Sequence, residues 1–200
     1  MKLVILDRDG TLNEDRDDFV KSPDEWQPIP GALEAVARLC QAGWHVAVAT
    51  NQSGLARGLF DMGALNEMHL KMNRLLAQHA GRIDAVFFCP HGPDDGCDCR
   101  KPLPGLFHQI AEHYGIGLDG VPVVGDTLRD LQAGAAAGCR PHLVLTGKAA
   151  RLDPAGIQHI VSRVPGTVVH ADLAAFVDHL LASSPSSSIP HFPKAAGGHD

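Results

Sequence analysis

The sequence predicts an α/β protein: a doubly wound parallel sheet with helices on both faces. Short apolar, β-branched runs alternate with longer amphipathic stretches through most of the chain. The runs are continuously apolar, as buried strands require. Acidic and small polar residues gather directly after several of them, where such sheets place their ligands. The 200 residues suit one domain with a full hydrophobic core.

The first strand is expected at Leu3 to Leu6. A helix follows at Ala32 to Gln41, with Leu33, Val36, Ala37, Leu39 and Cys40 on its apolar face and Gly43 ending it. Val46 to Ala49 reads as a buried strand. Ala64 to Ala80 is helical, placing Leu65, Met68, Met72, Leu75 and Leu76 on one side. Ala85 to Phe88 is a strand and Leu106 to Tyr114 a helix stopped by Gly115. Val121 to Val124 is a strand and Leu128 to Ala137 a helix stopped by Gly138. Strands at His142 to Leu145 and Thr167 to Val169 precede a last helix, Leu173 to Leu181. The folded domain is expected over residues 1–182. Residues 183–200, rich in Ser, Pro, Ala and Gly, have too little apolar surface to offset ordering entropy and read as a disordered tail.

The formal net charge of -6 argues against a general nucleic-acid partner, which needs a basic face. No apolar run approaches the roughly 20 residues that span a bilayer. Met1 to Asp7 runs straight into a strand without a leader pattern, so a cytoplasmic protein is expected. A monomer is expected too.

The chemistry lies at the strand ends. Asp7-Arg8-Asp9-Gly10-Thr11 follows the first strand. Two carboxylates so close repel unless a hard cation such as Mg²⁺ joins them, and a carboxylate is also a nucleophile towards phosphorus. Thr50-Asn51-Gln52-Ser53-Gly54 follows the second strand and offers small donors for phosphoryl oxygens. Arg100-Lys101-Pro102 supplies a cation. Gly125-Asp126 ends a further strand, and Asp130 lies one helical turn on, so both carboxylates can face one side. Taken singly, each has a plain alternative: a polar turn, a solvated lysine, or an acid favoured by a helix dipole.

Between residues 89 and 99 stand Cys89, His91, Cys97 and Cys99, a Cys-x-His and a Cys-x-Cys pair joined by a turn-rich segment. Four such ligands closing on one ion describe a structural Zn²⁺ site with no open position. A disulfide or free thiols is the alternative, disfavoured in a reducing compartment.

In this order, Asp-x-Asp-Gly-Thr, a strand-end Thr, a Lys and Gly-Asp-x-x-x-Asp resemble the haloacid dehalogenase superfamily of phosphohydrolases, over residues 3 to about 147. That resemblance implies a Rossmann-like fold, here without room for a separate cap domain. The metal loop followed by Arg-Lys-Pro resembles two groups of that superfamily, the D-glycero-D-manno-heptose 1,7-bisphosphate 7-phosphatases and the histidinol-phosphate phosphatases. Residues 50–58, with Asp17 to Val20, Trp26 and Pro30-Gly31, look like the heptose group, which serves ADP-heptose and lipopolysaccharide core synthesis. The short His91 to Cys97 spacing also suits the histidinol-phosphate type. A polynucleotide 3′-phosphatase would need a basic channel, and a zinc-stabilised, non-catalytic binding module would not need the full acidic set.

The resemblance implies roles. Asp7 is the nucleophile and Asp9 the general acid and base. Mg²⁺ is held by the Asp7 and Asp126 carboxylates and the Asp9 main-chain carbonyl. Thr50 and Lys101 hold phosphoryl oxygens, and Arg100 reaches a more distant part of a phosphorylated sugar. Asp15, Arg16, Asp17, Asp18, Asn51, Gln52 and Ser53 line that sugar. Asp130 orients Lys101 or a metal-bound water, or is a helix-face acid.

Overall fold

The computed structural model describes residues 1–183. Six strands, β1 (Leu3–Leu6), β2 (His45–Asn51), β3 (Ala85–Cys89), β4 (Pro122–Gly125), β5 (Arg140–Val144) and β6 (Val168–His170), form one parallel sheet in the order β3-β2-β1-β4-β5-β6. The helices α1 (Ala32–Gln41), α2 (Met62–Gln78), α3 (Gly105–Tyr114), α4 (Leu128–Ala136), α5 (Pro154–Arg163) and α6 (Leu173–Ser183) alternate with them. Each predicted strand and helix is present, with ends shifted by one or two residues. The expected tail lies outside the described residues except for Ser183, which closes α6.

Side chains of β1 alternate between the faces, as strand geometry dictates. Val4 and Leu6 pack with Val36 of α1, Met68 of α2 and Phe176 of α6. Leu3 and Ile5 pack with Leu106 and Ile110 of α3 and Ala133 of α4. Both faces are therefore covered, and β1 reads as an unbroken apolar run for that reason.

α5 has no counterpart in the sequence prediction, nor does the 3₁₀ turn at Ala149–Arg151. Ile160 is the one residue that α5 buries, so its apolar stripe is too thin to show as periodicity. Its start was readable: Asp153 caps the helix by accepting from Gly156 N at 2.8 Å, and Pro154 opens it.

Chain order reverses around β1, which lies between β2 and β4. Leu6 is in register with Val48 on one side and Val124 on the other, and Asp7 N–H donates to Val124 O at 2.8 Å. The residues after β1 and β4 thus flank the crevice where open α/β sheets bind ligands. Between β1 and α1 there is only a loop, held to the body by Lys71 of α2, whose Nζ donates to Pro23 O at 2.7 Å and Trp26 O at 2.8 Å. Trp26 is buried beneath it. No helix among the described residues is long and apolar enough to cross a membrane.

Candidate active site

A cavity of about 380 Å³ opens at this reversal point. Its lining includes Asp7, Asp9, Asp15, Arg16, Asp17, Thr50, Asn51, Gln52, Ser53, Arg100, Lys101, Asp126 and Asp130. One expected residue is missing. Asp18 lies off the cavity, its carboxylate taken by Arg16 at 3.0 Å and by Lys21 at 2.7 Å. Arg8, Phe19, Arg57, Thr127, Arg129 and Lys148 line the cavity without having been singled out as ligand-facing.

Lys101 is the hub. Its Nζ lies 2.8 Å from Asp7 Oδ1, 2.6 Å from Asp130 Oδ1 and 2.7 Å from Ala49 O, which occupies all three ammonium protons. The side chain is buried, and the two carboxylates hold its pKa above the ordinary lysine value despite that burial. Its backbone is fixed by Asn51 in a reciprocal pair: Lys101 N–H donates to Asn51 Oδ1 and Asn51 Nδ2 donates to Lys101 O, each at 3.1 Å. Asn51 thus acts on Lys101 rather than only facing the cavity. Asp130 is held in turn by the N–H and hydroxyl of Thr127, at 3.0 and 2.5 Å on Oδ2. Of the alternatives weighed for Asp130, the structure places it on Lys101.

Asp9 is engaged differently. Arg8, whose side chain is 1% exposed, donates Nη2 to both carboxylate oxygens of Asp9 at 3.0 Å. Asn13 and Gln52 add hydrogen bonds at 2.9 Å each. Burial would raise this carboxyl, but these donors hold it below its usual value, so Asp9 is ionised in this arrangement. Gln52 Nε2 also reaches Thr50 Oγ1 at 2.9 Å, placing Asp9, Gln52 and Thr50 in one network.

Asp7, Asp126 and Asp130 present carboxylate oxygens within 4.8 Å of one another. Burial, then the Asp130 charge, raises Asp7 to about 7 and Asp126 to about 8. Of these three carboxylates, Lys101 pairs with Asp7 and Asp130, and Asp126 takes its hydrogen bond from Lys148 N. Asp126 Oδ1 is buried and has no hydrogen-bond partner among the described residues. Both hydrogen bonds to Asp7, from Lys101 Nζ and from Arg8 N at 2.7 Å, fall on Oδ1. Both oxygens of Asp130 are taken. An all-oxygen set with surplus negative charge and an orphaned buried oxygen fits a hard divalent cation between Asp7 and Asp126. Gly10 allows the close approach: at φ +83°, a Cβ there would run into the Asp126 carboxylate.

The second cluster lies on the loop from β3 to Lys101. The cysteines are free thiols. Cys89 Sγ is 3.7 Å from Cys97 Sγ and 3.6 Å from His91 Nδ1, and His91 Nδ1 is 3.3 Å from Cys99 Sγ. A tetrahedron with Zn–S near 2.3 Å and Zn–N near 2.0 Å has edges of roughly 3.5–3.8 Å. The donor set fits. Burial and the adjoining Cys89 and Cys97 push the Cys99 thiol up to about 12, a cost that a cation would remove. Arg100 Nη1 donates to His91 O at 3.1 Å, so the cluster and the cavity share one short segment.

A family model described as a hydrolase, haloacid dehalogenase-like hydrolase, matches residues 13–138. The D-glycero-beta-D-manno-heptose-1,7-bisphosphate 7-phosphatase of Bordetella bronchiseptica is 60% identical over 182 residues, covering 90% of this chain and 98% of that protein. Its counterpart of the same name in Pseudomonas aeruginosa is 52% identical, covering 90% and 97%. The crystal structure of D,D-heptose 1,7-bisphosphate phosphatase from B. bronchiseptica, complexed with magnesium and phosphate, superposes with a TM-score of 0.85 at 58% identity, covering 92% of this chain and all of that one. The D,D-heptose 1,7-bisphosphate phosphatase structure from Burkholderia thailandensis does so at 0.68 and 49% identity, covering 91% and 99%. With the motif order, the strand-end geometry and these matches in agreement, the chain belongs to the haloacid dehalogenase-like hydrolases.

Proposed function

We propose that the chain is a magnesium-dependent phosphatase that removes the 7-phosphate of D-glycero-β-D-manno-heptose 1,7-bisphosphate. The observation that carries the chemistry is the Asp7–Lys101–Asp130 chain of contacts at 2.8 and 2.6 Å, set beside the orphaned oxygen of Asp126. The substrate rests on the relatives of 60% and 52% identity, whose names give this sugar and the β anomer. These relatives do not favour the histidinol-phosphate alternative. The intact acidic set speaks against a non-catalytic module.

The Asp7 carboxylate attacks phosphorus through Oδ2, the oxygen without a hydrogen bond, while Lys101 and the Arg8 N–H hold Oδ1 still. Thr50 and Lys101 hold phosphoryl oxygens. For this, the Lys101 ammonium exchanges its Asp7 contact for the phosphoryl group once Asp7 is esterified. The Asp7 and Asp126 carboxylates and the Asp9 main-chain carbonyl would hold Mg²⁺, which would offset negative charge between nucleophile and phosphate. Asp9 protonates the leaving alkoxide and then accepts a proton from water. That role requires its carboxyl to turn away from Arg8, which now keeps it ionised. Arg100, Arg16 and Arg57 line the cavity with cations suited to a second phosphate.

Zinc bound by Cys89, His91, Cys97 and Cys99 orders the loop that carries Arg100 and Lys101. The protein acts as a monomer in the cytoplasm, and residues 1–182 form the catalytic domain.

The test is kcat/KM for both anomers of the bisphosphate and for histidinol phosphate, with Mg²⁺ and then with chelator. Phosphorus NMR identifies the phosphate released. A preference for the β bisphosphate with loss of the 7-phosphate supports the proposal. Release of the 1-phosphate first, or a preference for histidinol phosphate, overturns the substrate.

A further inference from the structure

Residues 146–151 run from a contact on Gly10 to ion pairs with Asp15 and Asp17, and Lys148 lines the cavity. Thr146 Oγ1 donates to Gly10 O at 2.6 Å, in the turn directly after Asp9. Gly147 has φ +52°, and a Cβ there would collide with the Asp126 carboxylate and with Gly10 Cα, so the strand of chain lies flat on both. Lys148 N–H donates to Asp126 Oδ2 at 2.7 Å, and among the described residues no other hydrogen bond reaches that carboxylate. The Lys148 ammonium pairs with Asp15, and Arg151 pairs with Asp17 at 3.2 Å.

The geometry assigns Lys148 as a positioning residue with two separable links: its main-chain N–H aims Asp126, and its ammonium holds Asp15 and the loop 15–19 at the cavity mouth. This rests on the phosphatase reading above. The first link puts one oxygen of Asp126 on a fixed donor and leaves Oδ1 for a cation. The second bears on charge. Asp15, Asp17 and Asp18 would together repel a phosphorylated substrate, and each is ion-paired. Asp15 is the least exposed of the three, at 12% against 76% and 61%, so water and salt screen its charge least. Lys148 is the cation that neutralises it.

Two substitutions separate the links. Lys148→Met removes the ammonium and keeps the N–H. Lys148→Pro removes both, and the Lys148 φ of -69° already suits proline. Magnesium titration by calorimetry should show affinity within about threefold of wild type for Lys148→Met and at least about tenfold weaker for Lys148→Pro. Should Lys148→Pro fail to fold, Gly147→Ala tests the same link by displacing the N–H. Amide exchange over residues 15–19, without substrate, should quicken in Lys148→Met. KM for the bisphosphate should rise about tenfold, with a smaller change in kcat. Lys148→Arg should restore most of it. In an Asp15→Asn background the Lys148→Met penalty should shrink to less than about twofold. Equal magnesium affinity in the Met and Pro variants, unchanged exchange over 15–19, or a fully additive double variant would each overturn the assignment. If wild type hydrolyses neither the bisphosphate nor p-nitrophenyl phosphate, the phosphatase reading fails, and magnesium titration and amide exchange still decide the role of Lys148.

Discussion

Asp130 touches Lys101 at 2.6 Å with one carboxylate oxygen and holds Thr127 with the other, so a residue at the start of α4 sets the direction of a cation from the opposite side of the crevice. Asp130→Asn keeps the shape and removes the charge. A hydrogen bond to a charged group contributes about 1.5–3 kcal/mol, so kcat/KM should fall roughly 10–100-fold. Steady-state kinetics on a variant with an unchanged circular dichroism spectrum measures it. A variant within twofold of wild type would remove Asp130 from the positioning chain.

Asp7→Asn should abolish turnover, because an amide is a poor nucleophile and a poor metal ligand. It should also raise stability in chelator at pH 8. The folded carboxyl sits near 7, well above its unfolded value near 3.9, so it favours the folded state less and less as pH rises through that range. The amide has no such charge. Tm should rise by roughly 2–4 °C for each kcal/mol recovered. The comparison is thermal unfolding of both proteins at pH 5 and pH 8; the gap should widen at pH 8.

Protein isolated without chelator should hold about one zinc per chain by elemental analysis. Cys97→Ser should lower both zinc content and Tm. Activity should fall with them, since Arg100 is tied to His91 O and Lys101 is adjacent. A zinc-free protein with full activity would refute the zinc site.

His142 and His170 lie 3.0 Å apart, nitrogen to nitrogen, beneath α6. Burial, then His170 and the neighbouring His179 and Arg140, pushes His142 down to about 3; burial and His179 lower His170 as well. The folded chain keeps His142 neutral while the unfolded chain protonates near 6.5. The unfolded state therefore binds more protons below 6.5, and stability is lost as pH falls from there. At pH 5 the loss from His142 is on the order of 2 kcal/mol. Urea midpoints at pH 7.5 and 5 should fall further in wild type than in His142→Gln.

Asp7, Lys101 and Asp126 were legible in the sequence because each directly follows a recognisable strand or stands beside a motif of known order. The Cys–His cluster was legible because its ligands are neighbours in the chain. Arg8 was not: it sits between two conspicuous aspartates, and only the packing against Gln52 and His69 shows that it is buried and binds Asp9. Asp18 was expected at the cavity from the family resemblance, yet Arg16 and Lys21 draw it away. Lys148 escaped notice because its importance depends on Gly147 lying against Gly10, a contact between distant parts of the chain.

The strand order has a further consequence for the newly made chain. The thiol and imidazole donors are all present once residue 99 has been synthesised. Asp7 is made almost first, but its partner Asp126 arrives only with β4, which must insert beside β1 on the side away from β2. A nascent chain therefore carries every thiol and imidazole donor while the acidic crevice still lacks Asp126. The acidic crevice is thus the later of the two clusters to be completed along the chain.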